Sequence, residues 1–133
     1  MKYKIELTEE QLMLMANCVE DCHRFAAGQA ELINTTSRLR SGRLLQEKLQ
    51  ELEQHIVPEL ERGASYDWSG RLCPNKYQRE FIANTYYLYR EIYHQVITER
   101  CRRHGGLVFN VYLGETLRCK DSGEIIKVTP IEE

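Results

Sequence analysis

Cys18 and Cys22 stand one helical turn apart with His23 beside them, and Cys101 and His104 lie at i, i+3 further along the chain. Side chains of this kind are soft ligands that could meet around zinc, but the spacing is that of no known finger or ribbon. Small cysteines on the inner face of a helix are the commoner explanation, so no metal is expected. Glu20 with His23, and Glu91 with His94, have the i, i+3 spacing of an acid–base pair, a spacing that solvated neighbours on one helix face share. The chain has no G-x-S-x-G elbow, no H-E-x-x-H, no G-x-x-x-x-G-K-[ST] loop and no G-x-G-x-x-G, and it carries only 3 Asp. The expectation is a protein that is not an enzyme and uses no cofactor.

One compositional bias does point to a ligand. Arginine outnumbers lysine 12 to 6, and 8 tyrosines accompany it, several packed into the run from Tyr86 to His94. Guanidinium groups fork onto phosphate and stack on rings, while tyrosine faces stack on bases and its hydroxyl reaches sugar or phosphate. Arg79, Phe81 and Arg90 are candidate ligand-binding residues on this chemistry alone. Arg38, Arg40 and Arg43 form a further basic group, and Arg100, Arg102, Arg103 and His104 close the last predicted helix, where cations suit the negative helix end. Ion pairing with the abundant glutamates is the ordinary use of such clusters, and exposed pairs contribute about 0–1 kcal/mol.

These side chains need a scaffold, and 133 residues are enough for a single domain, 1–133, with a real core. The composition is 42% hydrophobic and 29% charged, which excludes disordered and low-complexity classes, and the net charge of −2 disfavours nucleic acid as a partner. No apolar run approaches the ~20 residues of a membrane span, and Met1 to Leu7 is not a signal segment. Five cysteines, an odd number without a CxxC pair, suit a reducing compartment. A cytoplasmic protein without membrane contact is expected.

Lys2 to Leu7 alternates charged with apolar residues, the pattern of a short strand. Thr8 and Gln11 then form a capping box for a first helix, with Leu7 and Leu12 placed for a hydrophobic staple. Leu12, Met15, Ala16, Val19, Cys22, His23, Ala26 and Ala30 predict an inward face to about residue 34. Gly28 falls inside that run, which suggests a kink or a close approach. Asn34 to Ser37 interrupts the pattern. A second helix follows through Leu45, Leu49, Leu52 and Ile56, heptad-like, to a stop near residue 57 before Pro58. Gly63 to Pro74 reads as a loop that anchors Trp68 on the core. Pro74 suits N1 of a third, longest helix that ends at Gly105-Gly106. Leu107 to Leu113, Thr116 to Cys119 and Glu124 to Thr129 read as strands. The predicted fold class is α+β: three helices, two of them long, antiparallel and coiled-coil-like, with a small antiparallel sheet from the N-terminal and C-terminal strands. The apolar stripes at Leu45, Leu49, Leu52 and Ile56 and at Tyr86, Tyr89 and Tyr93 predict a homo-oligomer, a dimer or an assembly of dimers, built through the second and third helices.

In order and spacing, these residues resemble a group of small phage and prophage proteins. The resemblance rests on Glu6-Leu7-Thr8-Glu9-Glu10-Gln11, on Arg24 followed by Gly28-Gln29, and on the Ser65-Tyr66-Asp67-Trp68 loop. It continues through Tyr-Leu-Tyr-Arg-Glu-Ile-Tyr-His at 87–94 and strands carrying Asn110 and Leu117-Arg118. Within that group the chain is similar to the viral sponge proteins that counter the Thoeris and cyclic-oligonucleotide (CBASS) defences, from which it departs by an inserted Arg71–Lys76 segment. The resemblance implies a non-enzymatic oligomer in the infected bacterial cell that sequesters a cyclic nucleotide or cyclic ADP-ribose signal, with Arg24, Gln29, Asn110 and Arg118 at the pocket. The alternative is a structural or protein-interaction protein of a phage or mobile element with no nucleotide ligand.

Overall fold

A computed structural model of the chain describes residues 1–56, 68–105 and 126–131. Four helices are present: α1 (Glu9–Ala27), α2 (Ile33–Thr36), α3 (Gly42–Ile56) and α4 (Lys76–His104). Helix accounts for 67% of the described residues and none of them is in a strand, so the α+β expectation is overturned and the described fold is all-helical. Lys2 to Leu7 is exposed at every position, with Tyr3 and Ile5 facing water. Among the described residues no strand edge meets it, so its alternation serves no buried face there. Ile126 to Thr129 is likewise not a strand, although Ile126 and Val128 pack on the core as a period of two requires. The predicted strands at Leu107 to Leu113 and Thr116 to Cys119 lie outside the described residues.

α1 begins where the sequence places it. The Thr8 N–H donates to Gln11 Oε1 at 3.0 Å and the Gln11 N–H to Thr8 Oγ1 at 3.1 Å, closing the capping box. It ends earlier than the periodicity suggests. Gly28 takes φ 108° and its N–H reaches back to the Arg24 and Phe25 carbonyls, so this glycine is the cap that stops the helix and not a kink within it. The released chain folds into α2, whose N-terminal amides are held by Asp21. α3 then starts against α2: a Cβ on Gly42 would stand 2.1 Å from the Thr36 carbonyl oxygen, so no larger residue fits there without moving backbone. α4 starts two residues later than a Pro74 at N1 implies: Asn75 is its N-cap, with its side chain accepting from the Gln78 N–H at 3.0 Å, Lys76 is its first residue, and Gly105 ends the helix in the left-handed conformation.

The core is the seam between α1 and α4. Ala16 meets Tyr89, Ile92, Tyr93, Val96 and Ile97, with Leu12, Met13, Val19, Tyr86 and Cys101 around them. His23 pairs with Ile82, Asn17 with Tyr93 and Glu9 with Arg100 and Arg103, so the two helices run antiparallel. Tyr89 and Tyr93 are therefore buried inside one chain, and the tyrosine stripe does not offer the subunit surface expected of it. Met15 and Cys22, expected inward on α1, are exposed.

Candidate functional site

Two side-chain arrangements flank this seam. The first is built on adjacent buried carboxylates near the end of α1. Asp21 Oδ2 accepts the Thr35 N–H at 2.7 Å and the Thr35 hydroxyl at 2.6 Å, and its Oδ1 accepts the Asn34 N–H and side-chain amide, both at 3.1 Å. Glu20 Oε1 accepts from Asn34 Nδ2 at 2.7 Å and from the Tyr93 hydroxyl at 3.2 Å. The single Tyr93 hydroxyl proton is shared between Glu20 Oε1 and the nearer Asn17 Oδ1. On its other oxygen Glu20 receives two guanidinium N–H groups of Arg24, at 3.2 and 3.3 Å, and Arg24 Nη1 donates to Gln29 Oε1 at 2.8 Å. Every carboxylate oxygen in this cluster accepts at least one hydrogen bond, which is what allows two acids to be buried side by side.

The αL turn at Gly28 thus brings Arg24 and Gln29 together, side chain to side chain. Part of the Arg24 charge is spent on Glu20, and the local balance of Glu20, Asp21 and Arg24 is negative. A phosphate would find a hydrogen-bonding edge here more than a net positive field.

The second arrangement is aromatic. His23 is fully buried, and its Nδ1–H donates to the Ile82 carbonyl at 2.9 Å, with Thr85 Oγ1 at 3.3 Å. Its ring lies 5.4 Å from both Tyr86 and Tyr89. Tyr86 in turn packs on Trp68 with centroids 4.7 Å apart, and the Arg90 guanidinium carbon stands 5.9 Å over the Tyr86 ring. Trp68 remains 37% exposed, so the loop anchors its indole on the helices and still presents it to solvent.

Of the other expected site residues, Arg79 donates from Nη1 to the Cys73 and Pro74 carbonyls at 3.0 and 3.4 Å, bracing the segment that leads into α4. Phe81 is half exposed near the start of that helix. Asn110 and Arg118 lie outside the described residues. Glu20 and His23 face different partners and form no acid–base pair, and Glu91 accepts from Gln95 at 2.9 Å. Among the described residues no three His, Cys, Asp or Glu side chains are grouped to hold a metal ion. Sequence reasoning missed Asp21, Asn34 and Thr35. The available signal was the Asn-Thr-Thr-Ser run itself, whose local hydrogen-bonding groups signal a helix start in need of an acid.

No protein-family model matches the chain, and neither a curated protein nor a solved structure is detectably similar to it. Among the described residues, no helix is long and apolar enough to cross a membrane.

Proposed function

We propose that the chain is a non-enzymatic binding protein that captures a cyclic nucleotide or a cyclic ADP-ribose derivative, acting by sequestration as a homo-oligomer in the cytoplasm of an infected bacterial cell. The observation that carries this reading is the cluster of Trp68, Tyr86 and Arg90, whose two rings are tilted 47° to each other with centroids 4.7 Å apart. An indole open to solvent, backed by a phenol ring with a guanidinium across it, offers a stacking face for a base and a cation for a phosphate. Arg24 and Gln29, joined at the end of α1, supply a directional hydrogen-bonding edge of the kind a ribose or amide recognises. Asn110 and Arg118 complete the proposed set by resemblance.

A thermal-shift panel of cyclic dinucleotides, cyclic trinucleotides and ADP-ribose derivatives tests it. A ligand at 100 times its dissociation constant raises apparent stability by about 2.7 kcal/mol, a readily measured shift in Tm. Trp68→Ala and Arg90→Ala should abolish the shift, and ligand recovered by denaturing the complex should be chemically unchanged. A panel without any shift would reject the reading.

A second reading, an interaction protein with no nucleotide ligand, is favoured by α3. That helix meets the rest of the described chain through Gly42, which lies against the Thr36 carbonyl, and through Gln46, Gln50 and Glu53. Its leucine seam lies roughly 90° around the helix from that polar edge, and Leu52 and Leu44 are half exposed. A silent ligand panel together with self-association that Leu52→Glu disrupts would select this reading.

A further inference from the structure

Trp68 is the only tryptophan of the chain, and its indole packs on Tyr86 from a loop. A loop side chain keeps such a place only if the backbone beside it is held, and three contacts hold the residues that follow Trp68. The Ser69 hydroxyl oxygen accepts the Arg71 N–H at 3.3 Å. The Cys73 N–H donates to the Gly70 carbonyl at 3.0 Å, closing a turn with Arg71 and Leu72 exposed at its tip. Cys73 is buried, and its carbonyl accepts from Arg79 Nη1 at 3.0 Å. Charge-assisted hydrogen bonds are roughly twice as strong as neutral ones, so the Arg79 contact is the strongest of the three.

Gly70 is where this turn meets α4. It is buried at φ 70°, and a Cβ there would stand 3.0 Å from Ile82 Cβ and 3.1 Å from the Arg79 carbonyl oxygen. Conformation and close approach both call for glycine. Arg79 therefore meets the turn twice, with its carbonyl against Gly70 and its guanidinium on Cys73. The register follows. Ile82 and Tyr86 are one turn apart on the same face of α4, about 6 Å along the axis. Gly70 and Trp68 are two residues apart, and two residues of chain reach at most about 7 Å. Seating Gly70 on Ile82 thus delivers Trp68 to Tyr86, as the loop runs back along the helix it precedes.

We infer that Arg79 is a positioning residue for Trp68: with Gly70 it fixes the stacking face of the candidate site, and it acts on a ligand through the indole without touching it. For its effect on affinity the inference rests on the ligand reading proposed above, and for the placing of the indole it rests on the geometry alone.

The fluorescence of Trp68 reports that placing directly, because no other indole contributes. In the ligand-free chain, Arg79→Met should shift the emission to the red and open the indole to acrylamide quenching, with helix content by circular dichroism unchanged. Gly70→Ala should do the same by another route. Arg79→Lys, which can still donate to the Cys73 carbonyl, should stay near the parent. An Arg79→Met spectrum identical to the parent's, or a shift that comes only with loss of helix, would overturn the inference.

Titration with cyclic di-AMP, cyclic tri-AMP and cyclic ADP-ribose is the second measurement. Arg79→Met should weaken binding of whichever probe the parent takes at least tenfold. Arg71→Ala removes an equal charge from the exposed tip of the turn and should change neither affinity nor spectrum. An equal loss of affinity in Arg71→Ala would assign the effect to charge and overturn the inference, as would a loss in Arg79→Met without any change in the ligand-free spectrum. If the parent binds none of the probes, the function proposed above fails, while the spectra still decide whether Arg79 and Gly70 place Trp68.

Discussion

α1 and α4 are joined along their whole length, whereas α3 is held to the described chain at a few polar points. The first pair is locked at one end by His23 on the Ile82 carbonyl, in the middle by Tyr93 on Asn17 and Glu20, and at the other end by Glu9 with Arg100 and Arg103, with aliphatic and aromatic side chains between. The second is held by Gln46 on Thr36, Gln50 on Glu31 and the Glu53 carboxylate on the Ala30 N–H. What separates them is whether the apolar face and the docked face coincide. In α4 they do, and in α3 they lie side by side.

This contrast can be broken from the α1–α4 side first. Ile82 is fully buried, and Ile82→Ala should cost about 2–5 kcal/mol in a chemical-denaturation experiment, the largest loss anticipated, through lost contact and the cavity left behind. Asp21→Ala should come next. It strands the Asn34 and Thr35 amides, which water reaches in part, at about 1–3 kcal/mol in total, and Asp21→Asn should recover only part of this because an amide accepts through one oxygen. Gly42→Ala sharpens the comparison from the other side. Its methyl group would drive α3 away from the Thr36 carbonyl at about 1–3 kcal/mol, and hydrogen exchange should quicken in α3 while α1 and α4 stay protected.

The smallest effect is a pH dependence at the far end of α4. Hydrogen bonds from Arg102 hold the Glu99 carboxyl below its ordinary value of 4.5 against the opposing effect of burial, with the charges of Arg102 and Arg103 adding to the lowering. A carboxylate depressed in the folded state contributes stability that is present above that ordinary value and lost as the pH falls through its folded one. Glu99→Gln should therefore flatten the acid limb of a plot of Tm against pH slightly and leave neutral pH almost unaffected.

The features legible in the sequence are those whose cause is local. The Thr8–Gln11 box, the end of α4 at Gly105 and the stretch of α3 each depend on residues within a turn or two of one another. Gly28 was misplaced because a glycine within a periodic run and a glycine that terminates it look alike until the backbone turns. The N-terminal strand failed for a different reason: alternation at Lys2 to Leu7 describes a face, and a face becomes a strand only where another edge accepts its hydrogen bonds. Arg24 and Gln29 were brought together by that same glycine turn. Burial of Tyr89 and Tyr93 was hidden because three tyrosines on one stripe serve a core and an interface equally well, and only the antiparallel docking of α1 decides between them.

The sequence separations in the polar cluster carry a consequence for synthesis. Asp21 reaches Asn34 and Thr35 across 13 and 14 residues, while His23 waits for Ile82, 59 residues on. At the pace of translation, about 5–20 residues per second, that gap takes roughly 3–12 s. During it α1 and the turn that Asp21 holds can already be folded, with Ala16 and His23 still uncovered. The nascent chain thus carries an apolar helix face uncovered through that interval, and this is where a chaperone would find it.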